Sequence, residues 1–184
     1  ALLFETVSAT ANAGGLDLAI LGDSAGNDTF TSRQNVSLLN AGGFLAEVVG
    51  FKQISARATA GGFDQAFLED TTANDTFTGT STSAQMIGGG LIREAVGFDV
   101  VAGRALRGGF DVANLFDTTE NDTLSTNPVT GIVNLANAPL GLYLQTLNFE
   151  SVTVRAIHGG ANDRAFLNDS AGNDLFVGEG LDGR

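Results

Sequence analysis

Cysteine and tryptophan are absent from this chain, and lysine, histidine and tyrosine occur once each, as Lys52, His158 and Tyr143. Without cysteine there is neither a disulfide framework nor a thiolate metal site. Proline is almost missing as well, with 2 residues against 25 glycines, a composition of many tight turns rather than extended linkers. No apolar run reaches the roughly 18 residues that a membrane-spanning helix requires. The opening ALLFETVSATANAGG lacks the basic start and the long apolar stretch of a signal peptide. Positive charge is scarce too, with 9 Lys and Arg against 21 Asp and Glu and a net charge of −12. That balance leaves no cationic footprint for nucleic-acid phosphates or for anionic lipid. It is compatible with divalent cations and with a self-repelling, soluble surface. Hydrophobic residues make up 43%, enough for a core, and the length suits one domain, taken as residues 1–184.

What is present is a repeat. Gly-Gly pairs stand at 14–15, 61–62, 108–109 and 159–160, spaced by 47, 47 and 51 residues. Each is followed by Asp-x-Ala-x-Leu-x-Asp: Asp17 to Asp23, Asp64 to Asp70, Asp111 to Asp117 and, one residue later, Asp163 to Asp169. Each is preceded by a block of one type: FETVSATA (4–11), FKQISARA (51–58), FDVVAGRA (98–105) and FESVTVRA (149–156). The chain divides into a partial repeat 1–13, repeats 14–60, 61–107 and 108–158, and a partial repeat 159–184. Inside the repeat the apolar period is two, as in Val7, Ala9, Ala11 or Ile54, Ala56, Ala58, which is the signature of strands. Short strands at a fixed long period predict an all-β fold, a parallel β-solenoid of the right-handed β-helix kind, with about two coils per 47-residue repeat. Stacked copies would then place Phe4, Phe51, Phe98 and Phe149 in one internal ladder, and Phe30, Phe77, Leu124 and Phe176 in another. The four extra residues of the third repeat fall between Ser125 and Leu147, with Pro128 and Pro139, and predict a protruding loop or distorted coil.

After each motif comes an acidic turn: DSAGNDTF (23–30), DTTANDTF (70–77), DTTENDTL (117–124) and DSAGNDLF (169–176). Asn and Asp build such corners by bonding to their own backbone. Calcium, which takes six to eight hard oxygens, is the competing explanation. The candidate metal ligands are Asp23, Asn27 and Asp28; Asp70, Asn74 and Asp75; Asp117, Asn121 and Asp122; and Asp169, Asn173 and Asp174. GGLDLAILGDSAGNDTF resembles a degenerate form of the RTX pattern of secreted bacterial proteins, with Asp28 and Asp174 in the place of that family's ligand aspartate. The resemblance implies calcium held in the turns of stacked coils. The 47-residue unit is also similar to tandem repeats of very large extracellular bacterial proteins, which implies an extracellular or cell-surface location.

A second set of residues, Arg57, Arg104 and Arg155, precedes the Gly-Gly pairs. Stacked arginines suit an anionic polysaccharide, but pairing with a carboxylate row is the simpler expectation. Catalysis has little support, because a catalytic constellation is unique whereas these aspartates recur, and His158 has no nucleophile beside it in sequence. Asn-Asp-Thr at 27, 74 and 121 fits a glycosylation acceptor by coincidence of turn chemistry, and the threonines of TFTGTSTS do not recur as an ice-binding array would. The expected function is a non-enzymatic structural repeat module, rigidified by calcium if calcium binds. Its expected partners are further repeats of a longer chain or other copies stacked end to end as fibres. The alternative is a carbohydrate-binding or carbohydrate-active β-helix.

Overall fold

The computed structural model describes residues 4–169, and their regular structure is strand throughout. The first pass runs through β1 (Thr6–Thr10), β2 (Leu18–Gly22), β3 (Thr29–Ser32), β4 (Val36–Ala41) and β5 (Phe44–Val49). The second repeats this as β6 (Gln53–Arg57), β7 (Gln65–Glu69), β8 (Thr76–Gly79), β9 (Ser83–Gly88) and β10 (Leu91–Val96). The third is β11 (Val100–Arg104), β12 (Val112–Phe116), β13 (Thr123–Asn127), β14 (Ile132–Asn137) and β15 (Leu142–Leu147). A fourth begins with β16 (Ser151–Arg155) and β17 (Arg164–Phe166).

Two sheets face each other across the core. The ten-stranded sheet is ordered β1-β5-β4-β3-β7-β11-β15-β14-β13-β17 and the seven-stranded sheet β16-β12-β8-β9-β10-β6-β2. The chain is a β-solenoid whose passes pair in parallel, as β3 with β7, β7 with β11 and β2 with β6. Within a pass, the last three strands form an antiparallel meander. The meander turns at Gly42-Gly43 (φ 57° and 88°) and Gly89-Gly90 (φ 56° and 76°) have positive φ at both central residues. That is the type I′ geometry matched to strand twist.

The meander sets the symmetry. A pass visits one sheet, crosses to the other, and returns to lay down three strands on the first, so it completes three half-turns where two full coils were expected. Two of its five strands are spent lengthening a sheet instead of crossing. Because three is odd, the next pass starts on the opposite sheet: β1 lies in the ten-stranded sheet, β6 in the seven-stranded, β11 in the ten-stranded again. Each repeat is therefore related to the next by a half-rotation and an axial step of two and a half strands, about 12 Å at ~4.8 Å per strand.

This alternation overturns the expected aromatic ladders. Equivalent phenylalanines of consecutive copies sit on opposite sheets, and contacts join a pass to the next but one. Phe30 meets Phe98 with ring centroids 6.2 Å apart, and Phe77 meets Phe149 at 6.0 Å. Phe4 is exposed, and Phe176 lies outside the described residues. The core is filled from both faces by the alternate residues the sequence marks, among them Ala19, Leu21, Leu39, Ala66, Leu68, Ala113, Leu115 and Leu144. The insertion lengthens two hairpins and does not distort the coil. Thr29 pairs with Asn40 but Thr123 with Ala136, and Val36 pairs with Val49 but Ile132 with Leu147. Each hairpin is thus two residues longer, with Pro128 and Pro139 in the turns, where no ladder amide is needed.

Candidate functional site: the acidic turn

The acidic turn links β2 to β3, β7 to β8 and β12 to β13. Its last aspartate closes it from within. Asp28 accepts from the Ser24 amide (2.8 Å) and hydroxyl (2.9 Å), Asp75 from the Thr71 amide (2.9 Å) and hydroxyl (2.7 Å), and Asp122 from the same groups of Thr118 (both 2.9 Å). All three aspartates are buried. This is the local side-chain to backbone bonding that makes Asp and Ser or Thr turn formers.

The other polar residues of the turn grip the following repeat. Asp23 accepts from the amides of Thr59 (2.7 Å) and Ala60 (2.8 Å), Asp70 from Arg107 (2.6 Å), and Asp117 from Ile157 and His158 (both 3.0 Å). Asn27, Asn74 and Asn121 each accept an amide of the next Gly-Gly loop at 2.9 Å, from Phe63, Phe110 and Asn162. In return, the amides of Asp28, Asp75 and Asp122 donate to Asp64, Asp111 and Asp163 at 2.8, 2.8 and 2.9 Å. The turn and the next Gly-Gly loop thus form one clamp, made three times among the described residues. Amide bonds to a carboxylate contribute about 1.5–3 kcal/mol each, so each clamp is a principal bond between repeats. The second glycine of the loop is required by proximity. Gly62 and Gly109 have φ of 119°, and a Cβ there would overlap the carbonyl oxygens of Gly26 and Ala73.

Asp23, Asp70, Asp117 and Asp169 do not stack in one row. Asp23 and Asp117 follow strands of the seven-stranded sheet, whereas Asp70 and Asp169 follow strands of the ten-stranded sheet. Asn173 and Asp174 lie outside the described residues. Side-chain oxygens of Asp23, Asn27 and Asp28 point to separate N–H and O–H donors, and among the described residues no three His, Asp or Glu side chains converge. In the described turns these oxygens are engaged by amides and hydroxyls of the chain, the local bonding by which Asp and Asn build a corner.

Arg57, Arg104 and Arg155 do not form one row either, since β6 and β16 belong to one sheet and β11 to the other. The Arg104 guanidinium lies 4.0 Å over the Phe67 ring and that of Arg155 5.9 Å over Phe116, while Arg57 is exposed. Among the described residues none of the three makes an ion pair with a carboxylate. Single histidine His158 places Nδ1 2.9 Å from Asp117 and takes part in the third clamp.

One residue that sequence reasoning passed over is Arg93. It is completely buried, donates to Asp75 at 3.0 Å and also bonds the Glu69 carbonyl. Burial lowers its pKa, opposed by the charges of Asp75 and Asp70. Gly88 makes room for the Asp75 carboxylate that Arg93 pairs with, since any Cβ there would overlap it. The signal was present in the alternation Leu91, Arg93, Ala95, which sets a charged residue on an inward face.

The loop aspartates carry a pH dependence. Burial pushes the Asp64 and Asp111 carboxyls up; the amides of Asp28 and Asp75 oppose it, and neighbouring carboxylates add to it. At Asp117 burial also acts upward, but the amides of Ile157 and His158 and the imidazole outweigh it and hold the carboxyl below its ordinary value. A raised folded-state pKa means that ionisation of Asp64 and Asp111 opposes folding as pH rises past the ordinary carboxylate range. A depressed one means that Asp117 stabilises above that range and loses its contribution as pH falls through it. Asp64→Asn and Asp111→Asn keep the acceptor and remove the charge, so thermal unfolding at neutral pH should move up by a few degrees for the pair. Asp117→Asn should move it down, and the reverse order would refute the assignment.

No family model, curated protein or solved structure matches this chain.

Proposed function

We propose that the chain is a structural repeat module, a rod segment of a bacterial extracellular or cell-surface protein, with no catalytic task. The observation that carries this reading is the use made of the recurring polar residues. In all three clamps the aspartates and the asparagine are bonded to the backbone of their own turn or of the next repeat. A binding or catalytic surface needs such groups free toward solvent and combined in one unique place. The extracellular setting rests on the resemblance of the repeat to those of large secreted proteins. Calcium has no part in holding the described turns in this reading.

The test is small-angle scattering on the chain and on a variant carrying a second copy of residues 61–107. The longest dimension should grow by about 12 Å with the cross-section unchanged, two and a half strand spacings. Growth in cross-section instead would refute the rod. Melting curves in calcium and in excess chelator should coincide, and a chelator-dependent drop of many degrees would return the turns to metal binding.

A further inference from the structure

Positive charge is scarce in this chain, yet three of its 9 Lys and Arg residues meet in the middle of the ten-stranded sheet. Arg33 follows β3, Glu69 ends β7, and Glu69 is the register partner of Arg104 on β11. Arg107 reaches the same glutamate from the loop after β11. Arg33 donates from Nε to Glu69 Oε1 at 3.3 Å, and Arg107 from Nη2 to Oε2 at 3.4 Å. Both contacts are long and single, unlike the bidentate fork that a guanidinium makes with a carboxylate at full strength. A guanidinium has several further N–H donors, so most of this capacity is unspent. Arg104 gives no side-chain N–H to a described residue, and its guanidinium is held 4.0 Å over the Phe67 ring. The side chains of Arg33 and Arg107 are 44% and 37% exposed, whereas that of Glu69 is 9% exposed. Three cations therefore face solvent around one covered carboxylate. The next acidic groups, Asp70 and Asp75, are buried beside the buried Arg93.

Unlike the acidic turns, this cluster occurs once. Thr80 and Asn127 stand at the place of Arg33, Gly22 and Phe116 at that of Glu69, and Ala60 and His158 at that of Arg107. Scaffolding recurs with the repeat, and a binding site has no need to. Beside the cluster runs a polar row. Phe67, Ala102, Gln145 and Asn134 are register partners on four successive strands, β7, β11, β15 and β14, on the face opposite the core residues Leu68 and Leu144. Gln145 donates to Asn134 at 3.1 Å, which leaves the Gln145 carbonyl and the Asn134 amino group without a described partner. A strand spacing of ~4.8 Å is close to the length of one pyranose unit, so a sugar chain laid across the strands sets about one ring on each.

We propose that Arg33, Arg104 and Arg107 form a binding site for an acidic polysaccharide, through its carboxylate or sulfate groups. One such group takes the free N–H donors of the guanidiniums. The following sugars lie across β11, β15 and β14, with hydroxyls bonded to Gln145 and Asn134. A net charge of −12 decides against a nucleic acid. Duplex DNA carries a charge every ~1.7 Å and would set far more phosphates against the acidic surface than three guanidiniums can meet.

Isothermal titration in divalent-free buffer is the test, with polygalacturonate as the carboxylate probe and dextran sulfate as the sulfate probe. The parent chain should bind at least one of them, which identifies the anionic group, and should not bind neutral dextran. Arg33→Gln with Arg107→Gln should weaken binding about tenfold or more, the worth of one hydrogen bond between charged groups. Lys52→Gln with Arg164→Gln makes the same change in net charge at exposed positions elsewhere and should bind as the parent does. Gln145→Ala leaves the arginines in place and should weaken binding several-fold. Melting curves check that each variant folds; if the arginine pair does not, Arg33→Gln alone keeps Arg107 on Glu69 and should show a smaller loss. Equal losses in the two charge variants overturn the site by reducing it to net charge. Poly-glutamate bound as tightly as the polysaccharide, with no effect of Gln145→Ala, overturns the sugar row. A parent chain that binds neither probe at about millimolar concentration overturns the proposal outright. The lengthening of the rod per added repeat does not depend on any of these outcomes, so the two readings fail separately.

Discussion

Gly88→Asn and Arg93→Leu, made singly, are expected to cost several kcal/mol each, and made together to restore most of that loss. Arg93 is the buried partner of Asp75, and truncating one member of a buried ion pair costs about 3–5 kcal/mol because the other charge remains. Gly88→Asn alone forces a side chain into the space that the Asp75 carboxylate, held there by Arg93, already fills. Overpacking of that kind costs about 1–3 kcal/mol or more. The third repeat contains the solution for the pair. Asn137 stands at the place of Gly88 and Leu144 at that of Arg93, both buried. Asn137 donates to Thr118 at 2.7 Å and to Asp122 at 3.3 Å, so an amide satisfies the aspartate and an aliphatic side chain fills the core. The first repeat is a third solution, with Ala41 and Ala46 at these places and the Ser24 hydroxyl reaching both oxygens of Asp28, at 2.9 and 3.1 Å. Urea denaturation of the four species gives the coupling directly. Additive losses, with no recovery in the double variant, would show that the two positions do not exchange as a unit.

The same comparison separates what the sequence made legible from what it did not. Alternation in Ala19, Leu21 or Ile54, Ala56 identified strands and their inward faces, because one buried face imposes a period of two. The fixed spacing of the Gly-Gly pairs identified a solenoid. Neither property counts sheet crossings, and the parity of that count decides which residues stack. Whether a run such as SLLNAGGFLAEVV crosses the core or folds back beside its neighbour depends on the glycine pair at 42–43, whose positive φ at both residues makes a hairpin. The ladder of Phe30 on Phe77 failed for that reason. The acidic turn was legible as a corner, since Asp, Ser and Asn bond locally. Its grip on residues 36 and more positions away was not, because the partners are backbone amides, which carry no sequence signal.

Deleting residues 61–107 is expected to leave a shorter, cooperatively folded rod, whereas deleting only 80–96 is expected to abolish cooperative folding of the segment around it. The larger deletion removes one full step of the screw. Ala60 then joins Gly108 inside the Gly-Gly loop, so the turn at 23–28 keeps the amides of Thr59 and Ala60 and meets Phe110 and Asp111 in place of Phe63 and Asp64. Arg93, Asp75 and Gly88 leave together, so no buried charge is left without its partner. Phe30 loses Phe98, its present contact at 6.2 Å, and meets Phe149, a phenylalanine at the equivalent place. The smaller deletion takes β9 and β10 from the seven-stranded sheet and nothing from the other. That sheet shortens by two strands, about 10 Å at ~4.8 Å per strand, while the ten-stranded sheet keeps its length. The clamp of Asp70, Asn74 and Asp75 on Arg107 to Asp111 then spans two sheets out of step, and the core residues Ala84, Met86, Leu91 and Ala95 are lost without replacement. Calorimetry of the two variants is the measurement. A single sharp transition for the 47-residue deletion and a broad or missing one for the 17-residue deletion would establish that the unit of folding is the screw step of five strands. Equal tolerance of both would mean that the sheets can slide past each other, and the clamp would lose its place as the bond that sets repeat register.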